Sequence, residues 1–233
     1  MKRSEYIEKI MQAYFLVRPL SKKNGCDVLH LKNKKSGKHL VLRSFPHSVA
    51  AYEKLQSIRH LNLPEIYDVL CMDDGQIVLE EYIEGLTVAQ IMETEKYRPS
   101  GARRVFLALC NALTALHDLG IVHRDVKPEN VVIEKSGRVV LIDLNASRIE
   151  SASNKDTVVM GTVGYASPEQ LGLAQSDART DIYAIGVLYN VMLTGQHPSV
   201  AIAPRKAGRI VRKCTAVNPN ERYQTANELR LAL

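Results

Sequence analysis

Apolar residues first recur at helical spacing. In residues 4–15, Ile7, Ile10, Met11 and Tyr14 share one face behind Ser4 as a cap, which predicts a short docking helix. From 16 to 43 the pattern shortens to strand-like apolar stretches broken by SKKNG and by KNKKSGK, a hairpin turn. Residues 47–60 return to helical spacing through Val49, Tyr52, Leu55 and Ile58. Two strands follow near 66–72 and 76–82, joined by MDDG, whose Asp-Gly suits a tight turn.

Beyond Gly85 helices dominate. The spacing predicts them over 87–94, 101–119 (Val105, Leu109, Ala112, Leu113, Leu116), 180–194, 205–216 and the closing TANELRLAL. Two short strands, VVIE and VVLID, flank Ser136-Gly137-Arg138, and the polar stretch 145–164 has no period and reads as a loop. There is no internal repeat. The pattern predicts an α+β chain in two lobes: a small β-rich lobe over about 1–82 and a mostly helical one over about 83–233.

Composition narrows the class. A chain of 233 residues, 45% hydrophobic and 24% charged, can bury a sizeable core and is neither disordered nor membranous in composition. No apolar run approaches the ~18–20 residues of a spanning helix, and the start, MKRSEYIEKI, alternates charge too closely for a signal peptide. Cys26, Cys71, Cys110 and Cys214 are dispersed without a CxxC pair, as expected of reduced thiols in a cytoplasmic protein. The net charge of +6 invites a nucleic-acid reading, but its distribution opposes one. Residues 1–43 hold eleven basic and three acidic side chains, and the remainder is slightly acidic. No nucleic-acid partner is expected, and no membrane segment in this chain.

The chemistry gathers in His123-Arg124-Asp125-Val126-Lys127-Pro128-Glu129-Asn130, with Asp143 at the end of VVLID. Proline among polar residues after an apolar helix makes this segment a loop. It supplies a carboxylate to accept a hydroxyl proton, an ammonium to face a transferred phosphoryl group, and an amide oxygen. Asp143 adds a second hard oxygen ligand suited to Mg²⁺.

HRDVKPEN resembles the catalytic loop of the eukaryotic-type (Hanks-type) protein kinases, and Lys127 two residues after the aspartate is the serine/threonine form. The resemblance implies the two-lobed kinase fold, ATP as phosphoryl donor and Mg²⁺ or Mn²⁺ as cofactor. Asp125 would orient or deprotonate the substrate hydroxyl, Lys127 would stabilise the transferring group, and Asn130 and Asp143 would hold the metal. GTVGYASPEQ looks like the end of an activation segment, in which Thr162 would line the pocket for the substrate hydroxyl. By the same resemblance Glu169 would pair with Arg222, and Asp181 would brace the backbone of the catalytic loop. DIYAIGVLYNVMLTGQHP and NPNERYQTANEL are most similar to bacterial members.

The upstream half departs from the family. Aligned on Leu20 and on Val28, which keeps the family's valine at the nucleotide, the three positions of the glycine-rich loop are Ser21, Lys23 and Cys26. Lys22 and Lys23 either contact the phosphates as cations or belong to a solvated turn. HLVLR puts Arg43 where the family has its β3 lysine, a planar fork in place of a compact ammonium. Its usual acidic partner on the following helix would be Glu53. Glu80, at the gatekeeper position of IVLEEYIEG, is the other partner, since a buried carboxylate there needs one. The backbone of Glu81 and Ile83 would meet adenine. The metal triplet reads Asp143-Leu144-Asn145, with Asn145 tolerating left-handed backbone in place of glycine. The C-terminal lobe is abbreviated, and the helix that commonly docks substrates is missing. In its place RKAGRIVRK (205–213) forms a basic helix that either turns Ile210, Val211 and Cys214 inward or docks an acidic partner. Arg124 before the catalytic aspartate implies switching by loop phosphorylation, with Thr157, Ser153 and Ser151 as acceptors, unless Asp156 supplies the charge.

Three functions follow. The first is an ATP-dependent serine/threonine protein kinase acting on a protein substrate. The second is a pseudokinase serving as a nucleotide-binding or interaction module, in keeping with the lost glycines and Arg43. The third is a small-molecule kinase, suggested by the missing docking helix and opposed by the Ser-Pro-Glu segment with Thr162.

Overall fold

The computed structural model describes residues 1–23, 25–94, 97–150, 162, 164–171 and 175–233. The chain divides into two compact units, Met1–Arg59 with Pro64–Ile83, and His60–Leu63 with Glu84–Leu233.

The first unit is built on a five-stranded antiparallel sheet. Helix α1 (Arg3–Ile10) precedes β1 (Tyr14–Lys23), β2 (Cys26–Asn33) and β3 (His39–Phe45). Then come α2 (Ala50–Leu55), β4 (Ile66–Met72) and β5 (Gly75–Glu81), in the sheet order β1-β2-β3-β5-β4. Alternation along each strand sorts the side chains onto two faces. Leu31, Leu40, Leu42 and Ile77 form a buried cluster, against which Tyr6, Ile7, Ile10 and Met11 pack from α1 and its end. Val28, Arg43, Val78 and Glu80 occupy the opposite face. The register pairs Val28 with Arg43, Arg43 with Val78 and Val41 with Glu80. On this face His30 stacks on Tyr82 with ring centroids 3.6 Å apart, and His30 Nε2 lies 2.7 Å from His39 Nδ1.

Two elements are shorter than their periodicity suggests. Helix α1 stops at Ile10 because Lys34 Nζ donates to the carbonyls of Met11 and Gln12, and Tyr14 already pairs with Asn33 as strand. Its start is held by Lys2 N donating to Glu5 Oε2 (3.1 Å), not by Ser4. Helix α2 ends at Leu55. Ala51, Tyr52 and Leu55 are buried, but Ile58 is not, so the apolar stripe runs out before residue 60. Gly75 closes the β4–β5 turn at φ +143°, where a Cβ would collide with the Phe45 carbonyl.

The second unit is mainly helical. Strand β6 (Gly85–Thr87) leads into α3 (Val88–Thr94) and α4 (Pro99–Asp118), followed by β7 (Ile121–Val122), β8 (Val131–Glu134), β9 (Val139–Leu141) and β10 (Arg148–Ile149). Sheets β6-β8-β9 and β10-β7 bracket the loop 123–130. Strand β10 lies inside a stretch whose polarity reads as loop; two residues paired to Val122 and Ile121 are too few to set a period. Helix α5 (Ala178–Thr194) starts with Asp177 accepting from Arg179 N (2.8 Å) and ends at Gly195, φ +74°. Helix α6 (Arg205–Cys214) buries Gly208, Ile210, Val211 and Cys214 and exposes its five basic side chains. Gly186 of α5 lacks the Cβ that would strike Cys214, so the two helices pack closely. A short α7 (Ala226–Leu231), capped by Thr225, closes the chain. Between α5 and α6 residues 195–204 form no helix.

Candidate active site

The second unit brings together Asp125, Lys127, Asn130 and Thr162. Thr162 Oγ1 donates to Asp125 Oδ1 at 2.7 Å and accepts from Lys127 Nζ at 2.9 Å. Lys127 Nζ also lies 2.7 Å from Asp125 Oδ2. Asn130 Nδ2 donates to the Asp125 carbonyl (2.8 Å) and to Asp125 Oδ2 (3.0 Å). An alcohol is therefore already hydrogen-bonded to the carboxylate, with an ammonium at its oxygen. Burial pushes the Asp125 carboxyl upward, but the hydrogen bonds from Lys127 and Thr162 outweigh it and hold the group below its ordinary value.

The loop's shape comes from a buried carboxylate on α5. Asp181 accepts from His123 N (2.9 Å) and Arg124 N (2.8 Å), and its Oδ2 lies 2.8 Å from His117 Nε2. Arg124 has φ +67°, a left-handed conformation that a non-glycine residue keeps only when its surroundings fix it. Gln170 Nε2 supports the same residue from the other side by donating to the Arg124 carbonyl (2.8 Å). His117 and Gln170 are supports that sequence reasoning missed. His117 reads as an ordinary residue of the last turn of α4, and Gln170 carries no pattern beyond its place after Ser-Pro-Glu.

Asp143 follows β9, tied to Asn130 through backbone: Ile142 N donates to the Asn130 carbonyl at 2.9 Å. Left-handed backbone falls on Asp143 itself, φ +73°, and Asn145 has no positive φ, contrary to the expectation for Asn145. Asp143 Oδ1 accepts from Asn145 N (3.2 Å), so this short local turn relieves the triplet of any need for glycine. Among the described residues no three His, Cys, Asp or Glu side chains cluster as a metal site. The pair Asn130 and Asp143 nevertheless suits a hard cation that takes most of its ligands from water and phosphate. Because Asn130 commits its Nδ2 to Asp125, its Oδ1 is the atom a metal would meet.

Glu169 and Arg222 form a buried two-pronged pair at 2.6 and 2.9 Å. Thr180 Oγ1 donates to Glu169 (3.1 Å), and Arg222 also reaches the carbonyls of Ala216, Val217 and Arg179. Burial raises the Glu169 carboxyl, and the Arg222 guanidinium more than reverses it. Thr157, Ser153 and Ser151 lie outside the described residues.

In the first unit Arg43 and Glu80 are both buried, and Arg43 Nε donates to Glu80 Oε1 at 2.6 Å. Glu53 does not take this place. It lies on the exposed side of α2, where Oε1 accepts from Gln76 Nε2 (3.2 Å) and Ser48 Oγ (3.4 Å). The buried stripe Ala51-Tyr52-Leu55 directs the other side of this short helix to the sheet. Val28 is buried beside Arg43. Glu81 N donates to the Glu65 carbonyl (2.8 Å), and Ile83, also buried, ends the unit. Strands β1 and β2 stay paired out to Lys23 and Cys26, across the positions that align with the family's glycine-rich loop. Lys22 is 84% exposed with Asp27 at 4.0 Å, and the side chain of Lys23 lies outside the described residues.

A family model described as a protein kinase domain matches residues 28–230. The serine/threonine-protein kinase PknB of Mycobacterium tuberculosis is 35% identical over 184 residues, covering 67% of this chain and 29% of that protein. PknB of Mycolicibacterium smegmatis is 33% identical with the same coverage. The serine/threonine-protein kinase PrkC of Bacillus subtilis is 30% identical over 203 residues, 76% of this chain and 31% of its own. The chain spans about three tenths of the length of these relatives.

Proposed function

The chain belongs to the protein kinase family, and from that premise we propose that it transfers the γ-phosphoryl group of ATP to serine or threonine hydroxyls of a protein. The observation that carries this reading is the Thr162 hydroxyl, which donates to Asp125 and accepts from Lys127. A substrate alcohol entering that position would meet the same two groups. Its oxygen would bond to the γ-phosphorus as the bond from phosphorus to the β–γ bridging oxygen breaks. ADP would leave, and the hydroxyl proton would pass to Asp125. Lys127 would remain at the oxygens of the transferring group, so that most of the catalysis is positioning and electrostatics.

Asn130 and Asp143 would hold Mg²⁺ or Mn²⁺, which when bound neutralises charge on the phosphates. Val28, Arg43 and the backbone of Glu81 and Ile83 would serve the nucleotide. Glu169–Arg222 and Asp181 act only by holding backbone in place. Four free cysteines fit a reducing, cytoplasmic compartment, and among the described residues no helix is long and apolar enough to cross a membrane.

The test is incubation with labelled ATP, Mg²⁺ or Mn²⁺ and a generic basic protein, beside Asp125→Asn. Transfer that disappears in the variant supports the proposal. A second reading, nucleotide binding without transfer, is favoured by one feature, the engagement of Arg43 by Glu80. An ATP-dependent rise in melting temperature with no transfer at all would select it.

A further inference from the structure

Kinases of this family couple catalysis to a helix: a strand lysine is held by a glutamate on αC, and moving that helix breaks the pair. Here the equivalent pair lies within one sheet. Arg43 of β3 faces Val78 of β5, and Glu80 stands two residues further along the same face of β5. Arg43 Nε meets Glu80 Oε1 at 2.6 Å, with side-chain exposures of 5% and 3%. The backbone ladder on either side fixes both residues, so their separation does not change unless the sheet does. Glu53, the only acidic residue of α2, is exposed and engaged with Gln76 and Ser48. Among the described residues no ion pair joins Glu53 to Arg43.

We infer that Glu80 is the positioning residue for Arg43, and that nucleotide engagement by this chain does not depend on Glu53 of α2. The arginine itself fits this arrangement. A lysine ammonium is a single point charge, whereas the guanidinium is a planar fork with three donor nitrogens. Nε can therefore hold a carboxylate while the same group addresses a phosphate. The lysine-to-arginine change and the carboxylate at the gatekeeper position are then one joint substitution rather than two separate losses. Helix α2, six residues long, buries Ala51, Tyr52 and Leu55 and keeps Glu53 on its exposed side. This inference rests on the proposed use of ATP and deepens it by naming how the site is, and is not, controlled.

The experiment measures ATP affinity of the full chain with a fluorescent ATP analogue and ATP competition, together with kcat and KM for ATP. Glu53→Gln is expected to leave the ATP Kd and KM within ~2-fold of wild type. Glu80→Gln is expected to raise both by ~10-fold or more, with kcat less affected and with Glu80→Asp recovering part of the loss. Because Glu80→Gln leaves Arg43 buried beside a neutral group, Arg43→Met with Glu80→Met serves as a companion that removes both charges. It is expected to fold by circular dichroism and to bind ATP as weakly as Glu80→Gln. Loss of ATP affinity in Glu53→Gln equal to that in Glu80→Gln would overturn the inference alone. A wild-type chain that binds no ATP would overturn the underlying reading as well.

Discussion

Lys127 Nζ lies 2.7 Å from Asp125 Oδ2, and this contact fixes the charge state of the proposed base. The Asp125 carboxyl is held below its ordinary 3.8, so it loses its charge only as pH falls through that lowered value. Between pH 5 and 8, roughly the range in which His titrates, kcat/KM should therefore show no acid limb belonging to Asp125. Lys127→Met should move the acid limb of the pH profile upward while lowering the plateau ~100-fold. A wild-type acid limb above pH 5 that moves in Asp125→Glu would contradict this assignment.

Removing the carboxylate is the more severe change. Asp125→Asn should reduce kcat by ~10³-fold, within the range for loss of a positioned general base, and leave ATP affinity unchanged. Thr162→Val deletes the hydroxyl that bridges Asp125 and Lys127 without changing the size of the side chain much. Its kcat should fall ~10-fold, again with ATP binding preserved, as competition titration would report.

Arg222→Ala leaves Glu169 buried without its cation and should destabilise the second unit by about 3–5 kcal/mol, measured by denaturant unfolding. Substituting both residues with Met should recover much of that loss. The Glu169 carboxyl is lowered from its ordinary 4.5. Its contribution is complete above that value and is lost as pH falls through the lowered one, so the melting temperature should drop below about pH 4. Arg222→Ala should flatten this acid dependence.

Asp181→Ala strands two buried backbone amides, those of His123 and Arg124. The expected result is a fall in kcat of ~100-fold, larger than the change in ATP affinity, since each lost anchor costs on the order of 1–3 kcal/mol. Equal losses in both quantities would mean that the substitution disrupts the whole unit instead.

Lys22 is exposed and sits near Asp27, so Lys22→Ala with Lys23→Ala should change ATP Kd less than ~3-fold, the scale of screened surface charge. A 10-fold weakening would restore these lysines to the phosphates.

The second unit was legible because its chemistry is contiguous. HRDVKPEN carries Asp125, Lys127 and Asn130 in one stretch, and of the residues quoted from later segments Glu169 meets Arg222 and Asp181 meets the loop's backbone, whereas the bonds from Thr162 to Asp125 and Lys127 were not foreseen. The first unit was less so. Two acidic residues competed for Arg43, and spacing could not choose between them. The choice follows from strand register and from which side of a six-residue helix is buried, both of which are tertiary facts. The same limit explains Asn145, since the left-handed residue is set by how Asp143 leaves β9. Strand β10 and the early end of α1 depended on Val122 and Lys34, partners remote in sequence.

Asp181 stands 57 residues beyond Arg124, on a helix that is synthesised well after the loop it holds. During chain growth the segment 123–130 would emerge with all its catalytic side chains and none of its geometry. The left-handed turn at Arg124 lacks its carboxylate anchor until α5 has formed and delivered Asp181 to two amides. The loop therefore takes its catalytic shape only where α5 is in place. A truncated or half-folded chain would carry every residue of the proposed mechanism and still lack an active site.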